Sequence, residues 1–202
     1  MSEREPNRPD ILLDALEQRH LLEVARRAIE ACLTESPPPR STDPPSGLRL
    51  PRGAFVTLRR GGELRGCIGV VEAEQPLVDA VSRCALAAAT EDPRFPPIVM
   101  DEMPEITIEI SVLGPLFMVR DPVEIEIGRH GLVVSQGNRR GLLLPQVAIE
   151  HAWDVQTFLQ ETCRKAGLDR RAWQRGAVIE AFSAQVFSDP QAISGPRPGS
   201  PR

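Results

Sequence analysis

The chain has 202 residues, 41% hydrophobic and 26% charged, a balance that excludes a disordered protein and allows a core without disulfide or metal staples. Its 24 basic and 28 acidic side chains leave a net charge of −4, and 4% of its residues are aromatic, which argues against a dedicated nucleic-acid binder. No apolar run approaches the roughly 20 residues of a membrane span, and the polar start Met1-Ser2-Glu3-Arg4-Glu5-Pro6 leads into no signal-peptide core. A cytoplasmic protein is expected, its cysteines Cys32, Cys67, Cys84 and Cys163 free thiols in no zinc-ligand spacing.

In chain order, residues 1–9 are polar and read as a disordered N-terminus, followed by one domain over residues 10–189. A first helix is expected from about Asp10, a plausible N-cap, to Thr34, with Leu13, Leu16, Leu21, Val24, Ala28 and Ile29 at helical spacing. Residues 36–50 form a proline-rich extended loop. Residues 53–60 and 63–71 are strands joined across Gly61-Gly62, a hairpin signal. Pro76 opens an Ala-rich helix that runs to about Thr90 and closes near Asp92-Pro93. Ile106–Leu113 alternates as a strand, and Val123–Ile127 reads as a shorter one. Residues 131–135 and 140–144 make a second hairpin around Gln136-Gly137-Asn138-Arg139. Asp154 caps a helix ended by Gly167, Val178–Phe187 is the last strand, and residues 190–202 are a proline-rich disordered tail. Antiparallel hairpins with helices between them predict an α+β fold, a mainly antiparallel sheet flanked by helices.

The chemistry concentrates in Leu64-Arg65-Gly66-Cys67-Ile68-Gly69. Alternation puts Arg65 and Cys67 on one face of a strand, roughly 7 Å apart, with Leu64 and Ile68 turned to the core. Ala54, Val56 and Leu58 share that core face if opposed residue numbers sum to an even number, which a three-residue loop supplies. That register sets Thr57 opposite Cys67 and Arg59 opposite Arg65, whereas a two-residue loop would turn Arg65 and Cys67 inward. A guanidinium beside a thiol favours the thiolate, and the same group grips a carboxylate or phosphate. Gly66 and Gly69 would let a ligand approach the backbone. The plainer reading is that Cys67 is a small buried hydrophobe.

The hexapeptide resembles the signature of the AMMECR-one domain family, known in prokaryotes as AmmeMemoRadiSam system protein A. Phe55-Val-Thr-Leu58, Asp92-Pro-Arg-Phe-Pro96, Ile108–Leu113, His130-Gly-Leu-Val133, Gly141–Val147 and Phe158–Leu168 resemble family blocks in order, over residues 15–188. The resemblance implies a larger and a smaller lobe with a cleft near the hexapeptide. It also implies association with a Memo-like protein and a radical SAM protein. It implies no reaction and no cofactor. The chain lacks the His/carboxylate cluster of an iron dioxygenase and the three close cysteines of a radical SAM cluster.

Two functional classes follow. In one, the chain is a thiol-dependent enzyme. Cys67 is the nucleophile, Arg65 stabilises the thiolate or an anion, and Thr57, Gly66, Gly69, Asp92 and Arg94 bind a small anionic or carbonyl-bearing ligand. His130 is then the candidate base. In the other, the chain is a non-catalytic module acting with the two partner proteins. Asp92 to Phe95 also fits a plain helix-stopping turn, with an Asp–Arg pair and Phe95 in the core. Cys84 and Cys163 read as core residues, Arg139 and Arg140 as a solvated turn, and Glu105, Glu109, Glu124 and Glu126 as solvent-face strand residues.

Overall fold

The computed structural model describes residues 12–37, 44–72 and 74–189. Asp10, the two expected disordered ends and part of the proline-rich loop lie outside the described residues. The chain divides into two compact units, one of Leu12–Val112 together with the segment from Gln185, the other of Leu113–Ala184.

In the larger unit, helix α1 (Ala15–Leu33) begins at Asp14, not near Asp10. Asp14 accepts from the backbone N–H groups of Leu16 and Glu17, and Glu17 returns a bond to the Asp14 N–H, a reciprocal cap that fixes the start. Within the expected loop, Ser46–Arg49 forms a 3-10 turn, anchored by the fully buried Leu48. Strands β1 (Ala54–Arg60) and β2 (Glu63–Val70) form the first hairpin, and α2 (Leu77–Thr90) packs on both and on α1. Strand β3 (Ile106–Leu113) pairs antiparallel with β1, so β2 is the terminal strand of the order β2-β1-β3. Val56, Leu58, Ile106, Ile108 and Ile110 on one face meet Leu21, Ile29, Val81 and Ala85 from the helices to make the core.

The smaller unit contains β4 (Phe117–Met118), β5 (His130–Gln136), β6 (Arg139–Leu143), α3 (Pro145–Glu150), α4 (Val155–Lys165) and most of β7 (Val178–Ser188). Strand β5 lies between β6 and β7, β4 pairs with β7, and α4 packs on β5 and β6. Its core joins Leu132, Val134, Phe158, Leu159, Cys163 and Ala181. The expected strand at Val123–Ile127 is instead a 3-10 turn, Pro122–Glu124. Pro122 has no N–H for a ladder, and the Asp121 side chain caps the turn by accepting from Val123 N–H. Glu124 and Glu105 therefore sit in 3-10 turns, not on strands.

These elements make the α+β fold: antiparallel strands flanked by helices, in a larger and a smaller unit.

Candidate functional site

The hairpin holds the expected register around Cys67 and reaches it by a different route. Thr57 opposes Cys67 and Val56 opposes Ile68, so the numbers sum to an even value. The loop, however, has two residues: Arg60 pairs with Glu63, and both Gly61 (φ 59) and Gly62 (φ 87) are left-handed. The two facts are reconciled by a bulge. Leu58 pairs with Gly66 and Arg59 with Leu64, so Arg65 is an extra, unpaired residue. Arg59 does not oppose Arg65, and Leu64 is 36% exposed instead of facing the core.

The bulge re-aims Arg65. Its guanidinium grips Glu102 with two bonds of 3.0 Å and donates to the carbonyls of Pro96 at 2.8 Å and Pro97 at 3.3 Å. Its side chain is 13% exposed, and these contacts commit it to holding the segment after α2. The Arg65 bond holds the Glu102 carboxyl below its ordinary range.

That segment brings Asp92 and Arg94 to Cys67. Asp92 is buried, and its Oδ2 accepts the Cys67 backbone N–H at 2.8 Å. Arg94 binds the same carboxylate side-on, Nε to Oδ1 at 2.9 Å and Nη2 to Oδ2 at 2.7 Å. Nη2 also lies 3.5 Å from the Cys67 carbonyl. Arg94, first through this hydrogen bond, drives the Asp92 carboxyl far below the usual carboxylate range. Arg94 rests over the ring of Phe95 at 5.5 Å, its side chain 54% exposed. Phe95 is only half-buried, so it is a shelf for the guanidinium and not a core residue.

The Cys67 thiol is partly exposed and accepts a hydrogen bond from Thr57 Oγ1 at 3.3 Å. Its strand pairings place Cys67, Thr57 and Glu109 in one row across β2, β1 and β3. Glu109 lies half-exposed on the face of β3 away from the core, as expected for a solvent-face strand residue, and the three-strand register adds it to the cysteine row. The two glycines serve packing. A Cβ at Gly66 would strike the Ala88 carbonyl of α2, and one at Gly69 would strike the Phe55 ring. His130 belongs to the smaller unit, where its Nδ1 accepts from Glu126 N–H at 3.1 Å and its ring meets Phe117 edge-on at 5.2 Å. Cys84 and Cys163 are buried, and burial pushes both thiols up. Arg139 donates to the Gly167 carbonyl at 2.8 Å, and Arg140 lies 3.7 Å from Glu180. Among the described residues, no three His, Cys, Asp or Glu side chains converge to hold a metal ion, and no helix is long and apolar enough to cross a membrane.

Residues 22–187 match the family model described as AMMECR1. The chain belongs to the AMMECR1 family. A Methanosarcina mazei protein is 42% identical over 189 residues, covering 88% of this chain and 94% of its own. A Methanothermobacter thermautotrophicus protein is 44% identical over 185 residues, covering 86% of this chain and 94% of its own. The crystal structure of the uncharacterised protein PH0010 from Pyrococcus horikoshii aligns with a TM-score of 0.84 at 38% identity, covering 91% of this chain and 96% of that one. The AMMECR1 match spans Thr57, the hexapeptide, Asp92, Arg94 and His130.

Proposed function

We propose that this AMMECR1 protein uses Cys67 as a nucleophile toward a small carbonyl-bearing anion, with Arg94 as the anion grip. The observation that carries this is the meeting of three groups at one strand position: a partly exposed thiol, a hydroxyl bonded to it and a half-exposed guanidinium. Asp92 uses Nε and Nη2 of Arg94, and Nη1 has no partner among the described residues. An anion held there would lie beside the Cys67 backbone. Sγ would then add to the carbonyl carbon as the C=O π bond opens, and the thiol proton would end on the oxygen. Arg65, occupied by Glu102 and two carbonyls, is assigned to positioning.

The setting for this chemistry would be the cytoplasm, alongside a Memo-like protein and a radical SAM protein. The test is iodoacetamide alkylation of the four cysteines at pH 7, resolved by mass spectrometry. Cys67 is expected to react well ahead of the exposed Cys32, and Arg94→Ala to slow Cys67 alone. A Cys67 rate no higher than that of Cys32 would overturn the reading.

A second reading, a non-catalytic module for those partners, draws on apolar exposure. Leu64 on β2 is 36% exposed, and Val99 and Met100, beside the segment Arg65 holds, are 56% and 40% exposed. Under that reading, a tagged copy retains both partners when Cys67 is replaced by Ser and loses them when Leu64 and Val99 are replaced by Ser.

A further inference from the structure

The smaller unit carries a charge distribution that the Cys67 site does not use. In a chain of net charge −4, the stretch from Glu161 to Arg175 holds five cations, Arg164, Lys165, Arg170, Arg171 and Arg175, against the carboxylates Glu161 and Asp169. Lys165 is the only lysine in the chain. Cations in the last turn of a helix complement its dipole, which accounts for Arg164 and Lys165 on α4 but not for what lies beside them.

Beside them is an open cavity of about 340 Å³, lined by Leu143, Trp153, Glu161, Arg164 and Lys165. That volume falls within the small-molecule range. Glu161 is the buried centre of the charges, its side chain 8% exposed. Arg170 donates to its Oε1 at 2.6 Å, and Arg164 pairs with Oε2 at 2.7 Å. Oε2 nonetheless gains no well-aligned hydrogen bond and is buried without one. One carboxylate thus meets two guanidiniums, and Lys165 has no ion pair among the described residues, so the cavity lining of Glu161, Arg164 and Lys165 carries one positive charge in excess, with Arg170 a further cation on Glu161. Trp153 and Leu143 supply the cavity's apolar lining. Trp153 is partly buried, with His151 stacked on it at 4.7 Å.

We propose that this cavity is a binding site for a planar ring bearing an anionic group. The ring stacks on Trp153 and packs on Leu143, and the anion is held by Lys165 and Arg164. Glu161 keeps the Arg164 guanidinium in place. A nucleoside monophosphate and an aromatic carboxylate share this chemistry and differ in the anion and in the ring's N–H groups.

The intact chain offers two reporters. Its two tryptophans give two indole N–H signals, with Trp173, whose Nε1 is buried, as an internal reference. Reductive ¹³C-dimethylation, which keeps the positive charge, gives a single lysine signal. Adenosine monophosphate, 2-naphthoate, adenosine and inorganic phosphate are titrated separately. The expected result is saturable movement of the Trp153 and Lys165 signals with one or both ring anions. Adenosine and phosphate should bind at least about tenfold more weakly, because each lacks half of the interaction. Lys165→Ala, at an exposed position, should weaken the ring anion about tenfold. Binding of adenosine monophosphate alone assigns the nucleotide as the class, and binding of 2-naphthoate alone assigns the aromatic carboxylate. The proposal is overturned if neither ring anion moves both signals at millimolar concentration, if adenosine binds as well as its monophosphate, or if Lys165→Ala leaves binding unchanged.

Discussion

Asp92 satisfies four donors with two oxygens: the backbone N–H groups of Cys67 and Arg94 and two nitrogens of the Arg94 guanidinium. Those bonds are strongest to the carboxylate, the Arg94 guanidinium above all, so its acidity is strengthened in the folded chain. A carboxyl depressed in this way contributes stability in full above its unfolded value, about 3.9, and loses it as pH falls through the lower folded value. Asp92→Asn should therefore cost stability at pH 7, and the gap to the parent chain should narrow as pH drops below about 4, read as urea midpoints across that range. Arg65 makes a different demand. Lysine in its place keeps the charge but cannot span Glu102 and two carbonyls at once. Arg65→Lys is expected to cost about 1–3 kcal/mol and to slow Cys67 alkylation less than Arg94→Ala does. Equal slowing would mean that Arg65 acts on the thiol itself.

At the scale of elements, the β1–β2 hairpin depends on two left-handed glycines. A Cβ at Gly62 would meet open space, so the cost of Gly62→Ala is conformational, about 1–2 kcal/mol, measurable as a shift in urea midpoint without a change in slope. What the sequence reveals here is the local part. Alternation at Ile106–Leu113, the glycine pair, and caps such as Asp154 are written in neighbouring residues, and each element forms where they place it. The Thr57–Cys67 pairing was legible too, since burying both apolar sets allows only one parity. The bulge was not. Nothing in Leu64-Arg65-Gly66 marks Arg65 as the extra residue, because its partners lie 31 to 37 positions away. Helix α3 was hidden for a related reason. Leu142-Leu143-Leu144 reads as a continuing strand, and Pro145 then begins a helix instead of ending one.

For the whole molecule, the decisive feature is the order of the chain. Among the described residues the smaller unit is one continuous stretch, and the larger unit is closed only when the chain returns at Gln185. Gln185 accepts from Leu13 N–H at 2.7 Å and donates to the Leu13 carbonyl at 2.9 Å. Asp189 accepts from Arg26 at 2.6 Å and from Ile108 N–H at 3.2 Å. The first helix and the last strand thus share one seam, built from residues more than 160 positions apart. Asp189→Ala leaves the Ile108 N–H and the Arg26 guanidinium without that acceptor, and an expected loss of about 1–3 kcal/mol follows. It should appear as a lower thermal midpoint, with the Cys67 alkylation rate of the folded protein unchanged.

The Asp92–Arg94 pair has one more consequence. Strand β2 ends the order β2-β1-β3, and the Cys67 N–H and carbonyl point away from β1. Asp92 stands where a neighbouring strand would offer a carbonyl, and Arg94 where it would offer an N–H. Together they imitate one residue of a strand that is not there, and an incoming chain finds that rung of the ladder taken. The pair that holds the Cys67 backbone is therefore also a guard against self-association. Removing both side chains should raise the aggregated fraction on concentration, even where the monomer stays folded.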